Sequence, residues 1–124
     1  MSLAGMRVFI VEDETMILIV LEDSLAAMGF EVVASALELD EALAKAAQIT
    51  CDVAVLDINI AGRSVEPVAN LLESRGIPFV FASGYGRAAL PVRHGGRPLL
   101  TKPYNAEALR AALLKVLAKS EADA

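Results

Sequence analysis

The 124-residue chain is 56% hydrophobic and 22% charged, enough apolar content to bury the core of one domain and too much for a disordered chain. Its net charge of −5 argues against nucleic acid as the main partner. Cys51 and His94 each stand alone, which excludes an internal disulfide, argues against a zinc site built from His and Cys, and fits a reducing cytoplasm.

Short apolar runs alternate with helical patterns along the chain. The first strand is read over Arg7–Val11, and the acids at 12–14 break its apolar run too early for a signal peptide. A helix over about 14–28 follows, closed by Gly29, and its apolar stretch 16–21 is far too short to cross a membrane. Its core side is read as Ile17, Leu21, Leu25 and Met28. Strand two spans about 31–34 and helix two about 37–48, with acids in its first turn where the helix dipole favours them. Strand three is Val53–Asp57, preceded by Cys51, which reads as a buried structural thiol. A loop through Ala61-Gly62 leads to helix three, about 65–74, with Pro67 in its first turn.

Strand four is 79–82, strand five is Leu99–Thr101, and Asn105 caps a last helix over about 106–119. Residues 120–124 read as a frayed tail. The segment 84–97 is rich in glycine and proline, and only 87–90 is suited to a helical turn, so it predicts a flexible loop with a poorly formed fourth helix. The pattern defines an α/β fold: a three-layer, five-stranded parallel sheet with helices on both faces, flavodoxin-like, in a single domain with its core at about 6–119.

Four of the strands end their apolar runs in chemistry. The first leads into Glu12 and Asp13, the third into Asp57, the fourth into Ser83, and the fifth into Lys102 and Pro103. Ligand chemistry on parallel sheets gathers at the carboxyl ends of the strands, so three acids, a hydroxyl and an ammonium should converge on one edge. Two like charges about 4 Å apart repel by roughly 4 kcal/mol at an effective dielectric near 20. Such a cluster needs a cation, or one acid must hold a proton. Oxygen donors with open water positions suit Mg²⁺, here on Asp13 and Asp57. In that niche Asp57, alone at the end of the central strand, is the candidate nucleophile for an aspartyl-phosphate. Lys102 would pair one phosphoryl oxygen and the Ser83 hydroxyl would hydrogen-bond another.

Charge is unevenly spread. Residues 1–62 hold eleven acids and two bases, a balance of −9, whereas 63–124 hold five acids and nine bases, a balance of +4. Arg75, Arg87, Arg93, Arg97 and Lys102 lie in a stretch without acids, read either as a solvated face or as a positive flank beside an anionic ligand.

The strand-end set resembles that of a response-regulator receiver domain, the phosphoacceptor of two-component signalling, over essentially the whole chain. The resemblance rests on Glu12-Asp13, Asp57, Asn59, Ser83 and Lys102-Pro103, in that order. It implies that Asp57 is phosphorylated and that Glu12, Asp13, Asp57 and the main-chain carbonyl of Asn59 form the metal site. It also implies that Ser83 is the switch hydroxyl and that the Lys102–Pro103 peptide is cis. Receivers usually carry an inward-turning aromatic three positions before the lysine, where this chain has Leu99. An aromatic stands instead at Tyr85, within Phe81-Ala82-Ser83-Gly84-Tyr85, which is similar to the FAT GUY subfamily of alphaproteobacterial receivers that work with HWE-type histidine kinases. Ordering of the 84–97 loop is the expected replacement for the aromatic switch.

Met16, Ile19 and Val20 project away from the core side of the first helix, and an exposed apolar patch marks a partner surface. In receivers this helix docks the kinase's phosphodonor bundle. The expected partners are a sensor histidine kinase or histidine phosphotransfer protein and an unidentified downstream protein, with no membrane or nucleic-acid role. No output domain is expected after 119, so the chain would signal by binding, with Tyr85, strand five and the last helix as its output face, or act as a phosphate shuttle or sink. It is expected to be a phosphoacceptor rather than an enzyme. A phosphate-independent adaptor with the same fold is the alternative. A haloacid-dehalogenase-like phosphatase fits less well, since Asn59 stands where those enzymes need a second acid.

Overall fold

A computed structural model describes residues 3–86 and 89–123. Five parallel strands form the sheet: β1 (Arg7–Val11), β2 (Glu31–Ala36), β3 (Val53–Asp57), β6 (Phe79–Ser83) and β7 (Leu99–Thr101), in the order β2-β1-β3-β6-β7. A two-residue hairpin, β4 (Asn59–Ile60) with β5 (Arg63–Ser64), lies beyond the end of β3. The helices are α1 (Thr15–Ala27), α2 (Leu39–Ala46), α3 (Glu66–Ser74) and α4 (Ala106–Asp123). The doubly wound architecture therefore follows the alternation in the sequence, and α4 continues as far as Asp123, into the stretch read as frayed.

The apolar runs are continuous because β1, β3 and β6 are covered on both faces. Phe9, Leu56 and Phe81 face a core completed by α2, α3 and Ile60. Val8, Ile10, Val55 and Val80 face another, completed by α1 and α4. Leu109, Leu113, Val116 and Leu117 fill the second core as the α4 stripe requires. On α1 the buried residues are Leu18, Leu21 and Leu25, while Ile17 and Met28 are half-buried. Leu18 thus takes a core place that the sequence reading gave to Ile17. Gly29 closes α1 at φ 98°, and a Cβ there would lie 3.2 Å from the Ala4 Cα. Asn105 caps α4 through its Oδ1, which accepts from the Ala108 N–H at 2.8 Å.

The expected flexible loop is anchored over its second half. A short 3₁₀ turn at Val92–His94 leaves Val92 fully exposed and buries His94. The His94 ring packs edge-on against Phe79 and Phe81, and its Nε2 lies 2.8 Å from Asn70 Oδ1 on α3. On either side, Arg93 and Arg97 each donate to the Glu73 carboxylate at 2.9 Å, and the Arg97 guanidinium lies 4.2 Å from the Phe79 ring centre. The helical turn considered at 87–90 includes Arg87 and Ala88, which lie outside the described residues.

For Arg75, Arg93 and Arg97 this packing does not support the reading of a positive flank, whereas Lys102 does reach the acids and Arg87 lies outside the described residues. Arg93 and Arg97 pair with the C-terminal end of α3, and Arg75 donates to the Ala46 carbonyl at 2.7 Å. All three lie toward the edge where the strands begin, away from the acids at the strand ends.

Candidate functional site

Register aligns the strand ends. Val11 is opposite Leu56, Asp57 is opposite Ala82, and Ser83 is opposite Thr101. The residue after β1 is therefore Glu12, beside Asp57, and the residue after β7 is Lys102, beside Ser83. Asp13, Asp57, Asn59, Ser83, Tyr85 and Lys102 line one cleft of about 460 Å³. Glu12 lies beneath it, held by Lys102, and Pro103 opens onto a neighbouring groove. The Lys102–Pro103 peptide is cis, as the resemblance implied.

Carboxylate oxygens of Glu12, Asp13 and Asp57 all lie within 4.8 Å of one another. Lys102 Nζ bridges two of them, donating to Glu12 Oε1 and to Asp57 Oδ2 at 2.8 Å each. Burial pushes the Glu12 carboxyl up to about 7, against the hydrogen bonds from Lys102 and the Glu14 N–H that favour its charge. Burial disfavours the Lys102 ammonium too, but hydrogen bonds to Asp57 and Glu12 outweigh it and hold the lysine above its ordinary value. The ammonium is thus fixed in its charged form, and one acid beside it tends to keep a proton. A donor set made only of oxygens, negative even after Lys102 is counted, fits a hard divalent cation.

Backbone groups orient the remaining oxygens. The Ala61 N–H donates to Asp13 Oδ2 at 2.9 Å and the Asn59 N–H to Asp57 Oδ1 at 3.2 Å. Ser83 is buried, and its Oγ accepts from the Tyr85 N–H at 3.0 Å. The hydroxyl proton is therefore not used in that bond. Tyr85 itself is 80% exposed, and Leu99 is half-buried at the position where an inward aromatic was absent from the sequence.

Met16, Ile19 and Val20 are all exposed, as read from the sequence. Met16 and Val20 border an apolar groove of about 480 Å³ between α1 and the segment from Lys102 to Leu109. The groove and the Ala61–Asp13 contact were not read from the sequence. Ala61-Gly62 signalled a turn, but only the fold brings it to Asp13. Cys51 is half-buried rather than buried, and its surroundings push the thiol up. No described helix is long and apolar enough to cross a membrane.

A parallel α/β sheet with acids, a hydroxyl and a lysine at its strand ends is the architecture of a receiver. The model of the response regulator receiver domain matches residues 8–114, and the chain belongs to that family. No curated protein matches it. It is similar to SdrG from Sphingomonas melonis Fr1 at 36% identity and TM-score 0.82, covering 94% of this chain and 99% of that one. PhyR from Brucella abortus is 31% identical at TM-score 0.80, with 97% of this chain aligned to 51% of that longer protein. The PhyR receiver domain of Erythrobacter litoralis is 26% identical at TM-score 0.76, covering 92% of this chain and 91% of that one.

Proposed function

We propose that this receiver is a phosphoacceptor that takes a phosphoryl group from a histidine kinase or histidine phosphotransfer protein onto Asp57. The observation that carries the reading is the Lys102 bridge between Glu12 and Asp57, set in a cleft with Asp13 and Ser83. An Asp57 carboxylate oxygen attacks the phosphorus, the bond to the donor imidazole nitrogen breaks, and that nitrogen keeps the electron pair. Lys102 pairs a phosphoryl oxygen, and Ser83 turns its hydroxyl proton onto another. Mg²⁺ would be held by Asp13, Asp57 and the Asn59 carbonyl, with Glu12 behind them, and supplies charge neutralisation when bound. The protein assists its own phosphorylation and dephosphorylation without turning over a separate substrate.

The donor docks on the exposed face of α1, where Met16, Ile19 and Val20 stand beside the apolar groove leading to Lys102. Output is a change in protein contacts at the Tyr85 side of the cleft, or passage of the phosphoryl group to another protein. One similar structure, PhyR from Bartonella quintana, is described as an anti-anti-sigma factor, which supports an anti-sigma factor as a class of downstream partner to test.

The test is intact mass after incubation with a small-molecule phosphodonor and Mg²⁺, and with candidate kinases, for wild type and Asp57→Asn. A gain of one phosphoryl group, absent in the variant, is the expected result. No gain from any donor would favour the phosphate-independent adaptor.

A further inference from the structure

Ala61 is the only non-glycine residue with a left-handed backbone among the described residues, at φ 51°, and Gly62 follows at φ 87°. Two successive left-handed residues let a two-residue turn match the twist of its strands. Glycine suits such a position, whereas the Cβ of alanine crowds the neighbouring carbonyl. Residues kept in sparsely populated conformations collect at functional sites, where their surroundings over-determine them.

The surroundings here are specific. Ile60 is buried in the core, and the Val65 N–H donates to the Ile58 carbonyl at 2.9 Å, closing the base of the hairpin. The Gly62 N–H donates to Asn59 Oδ1 at 2.7 Å across the turn. With those bonds in place, the Ala61 N–H is aimed at Asp13 Oδ2 and the Asn59 N–H at Asp57 Oδ1. One hairpin therefore addresses a carboxylate at the end of β3 and another just past the end of β1.

We propose that the 59–64 hairpin is a brace that positions Asp13: the Ala61 N–H fixes one carboxylate oxygen and leaves the other turned toward a cation shared with Asp57. Ala61 is thus a positioning residue, acting through Asp13. The inference rests on the phosphoacceptor reading and adds a source of its metal affinity. Groups that orient metal ligands typically cost 10–100-fold in affinity when removed.

The experiment replaces Ala61 by lactate, which keeps the methyl group and exchanges the N–H for an ester oxygen. Mg²⁺ affinity of the unphosphorylated protein is measured by calorimetry, alongside the metal-free thermal midpoint. The lactate protein is expected to bind Mg²⁺ about tenfold more weakly. Ala61→Gly, which keeps the N–H, should match wild type. Gly62→Val supplies a second variant if the ester protein fails to fold. A Cβ at Gly62 meets nothing within 4 Å, so its effect is on the backbone turn, and weaker Mg²⁺ binding is expected again. Wild-type affinity in the lactate protein, or a lowered midpoint without lowered affinity, overturns the brace and leaves the phosphoacceptor reading standing. A wild type that does not bind Mg²⁺ overturns that reading and the brace with it.

Discussion

Glu12→Gln should make the metal-free protein more stable at alkaline pH. Glu12 is 2% exposed, and its carboxyl is displaced from 4.5 to about 7, mainly by burial. An acid whose folded-state pKa is raised favours folding while it holds its proton. That contribution is full below pH 4.5 and is lost as pH rises through 7. At 1.36 kcal/mol per pKa unit, ionising Glu12 costs the folded state at most about 3 kcal/mol. Glutamine matches the acid in shape and does not titrate, although its NH₂ cannot accept, so one of the bonds from Lys102 and the Glu14 N–H is given up at every pH. Urea unfolding in chelator from pH 4.5 to 8.5 should therefore show a constant offset from the lost bond at the acid end and a shift in the variant's favour that grows through neutrality. Titrations of groups away from the Glu12, Asp57 and Lys102 cluster are common to both proteins and cancel in the difference. A pH-independent difference, or a variant that loses stability at pH 8.5, would mean that Lys102 stabilises the ionised carboxylate more than burial penalises it.

Ile19 is 46% exposed, so Ile19→Asp should change stability by no more than about 0.5 kcal/mol while slowing phosphoryl transfer from the cognate kinase roughly tenfold. An unchanged transfer rate would remove α1 from the docking surface. His94→Ala deletes a ring packed on Phe79 and Phe81 and its bond to Asn70, and should cost about 3 kcal/mol in urea unfolding. A loss below about 1 kcal/mol would contradict that packing. Burial holds the His94 imidazole below its usual 6.5, so its contribution is present above that pH and lost as pH falls through the depressed value. His94→Phe should remove that part of the acid-side slope, and an unaltered slope would assign it to other groups.

The parts of the site that were legible share a physical reason. A parallel strand covered on both faces is apolar until it meets solvent, so its first charged or hydroxyl neighbour marks the sheet edge. Glu12, Asp57 and Ser83 are such neighbours, Lys102 follows Thr101 at the end of the edge strand β7, and parallel register brings them together. The 92–97 segment was illegible because its order comes from partners far along the chain. Its glycines and the prolines on either side, Pro91 and Pro98, read locally as a loop, while His94 is held by Asn70 and the two arginines by Glu73. The same arginines misled as a charge block because proximity in sequence does not reveal which sheet edge a residue reaches. On α1, apolar residues lie nearly all round, so periodicity did not separate Leu18 from Ile17. The hairpin strands have two residues each, too short for any alternation to appear.

The two cores have a consequence for how such proteins diverge. The α1 face proposed for docking rests on the layer built from Val8, Ile10 and Val80, while Ile60 and the phenylalanines flanking His94 belong to the layer across the sheet. Substitutions at Met16, Ile19 and Val20 leave that distant layer's packing untouched. With donor choice read on α1 as proposed, a cell carrying several duplicated receivers could insulate them from one another by rewriting a few exposed positions, with the acidic cleft and its hairpin inherited unchanged.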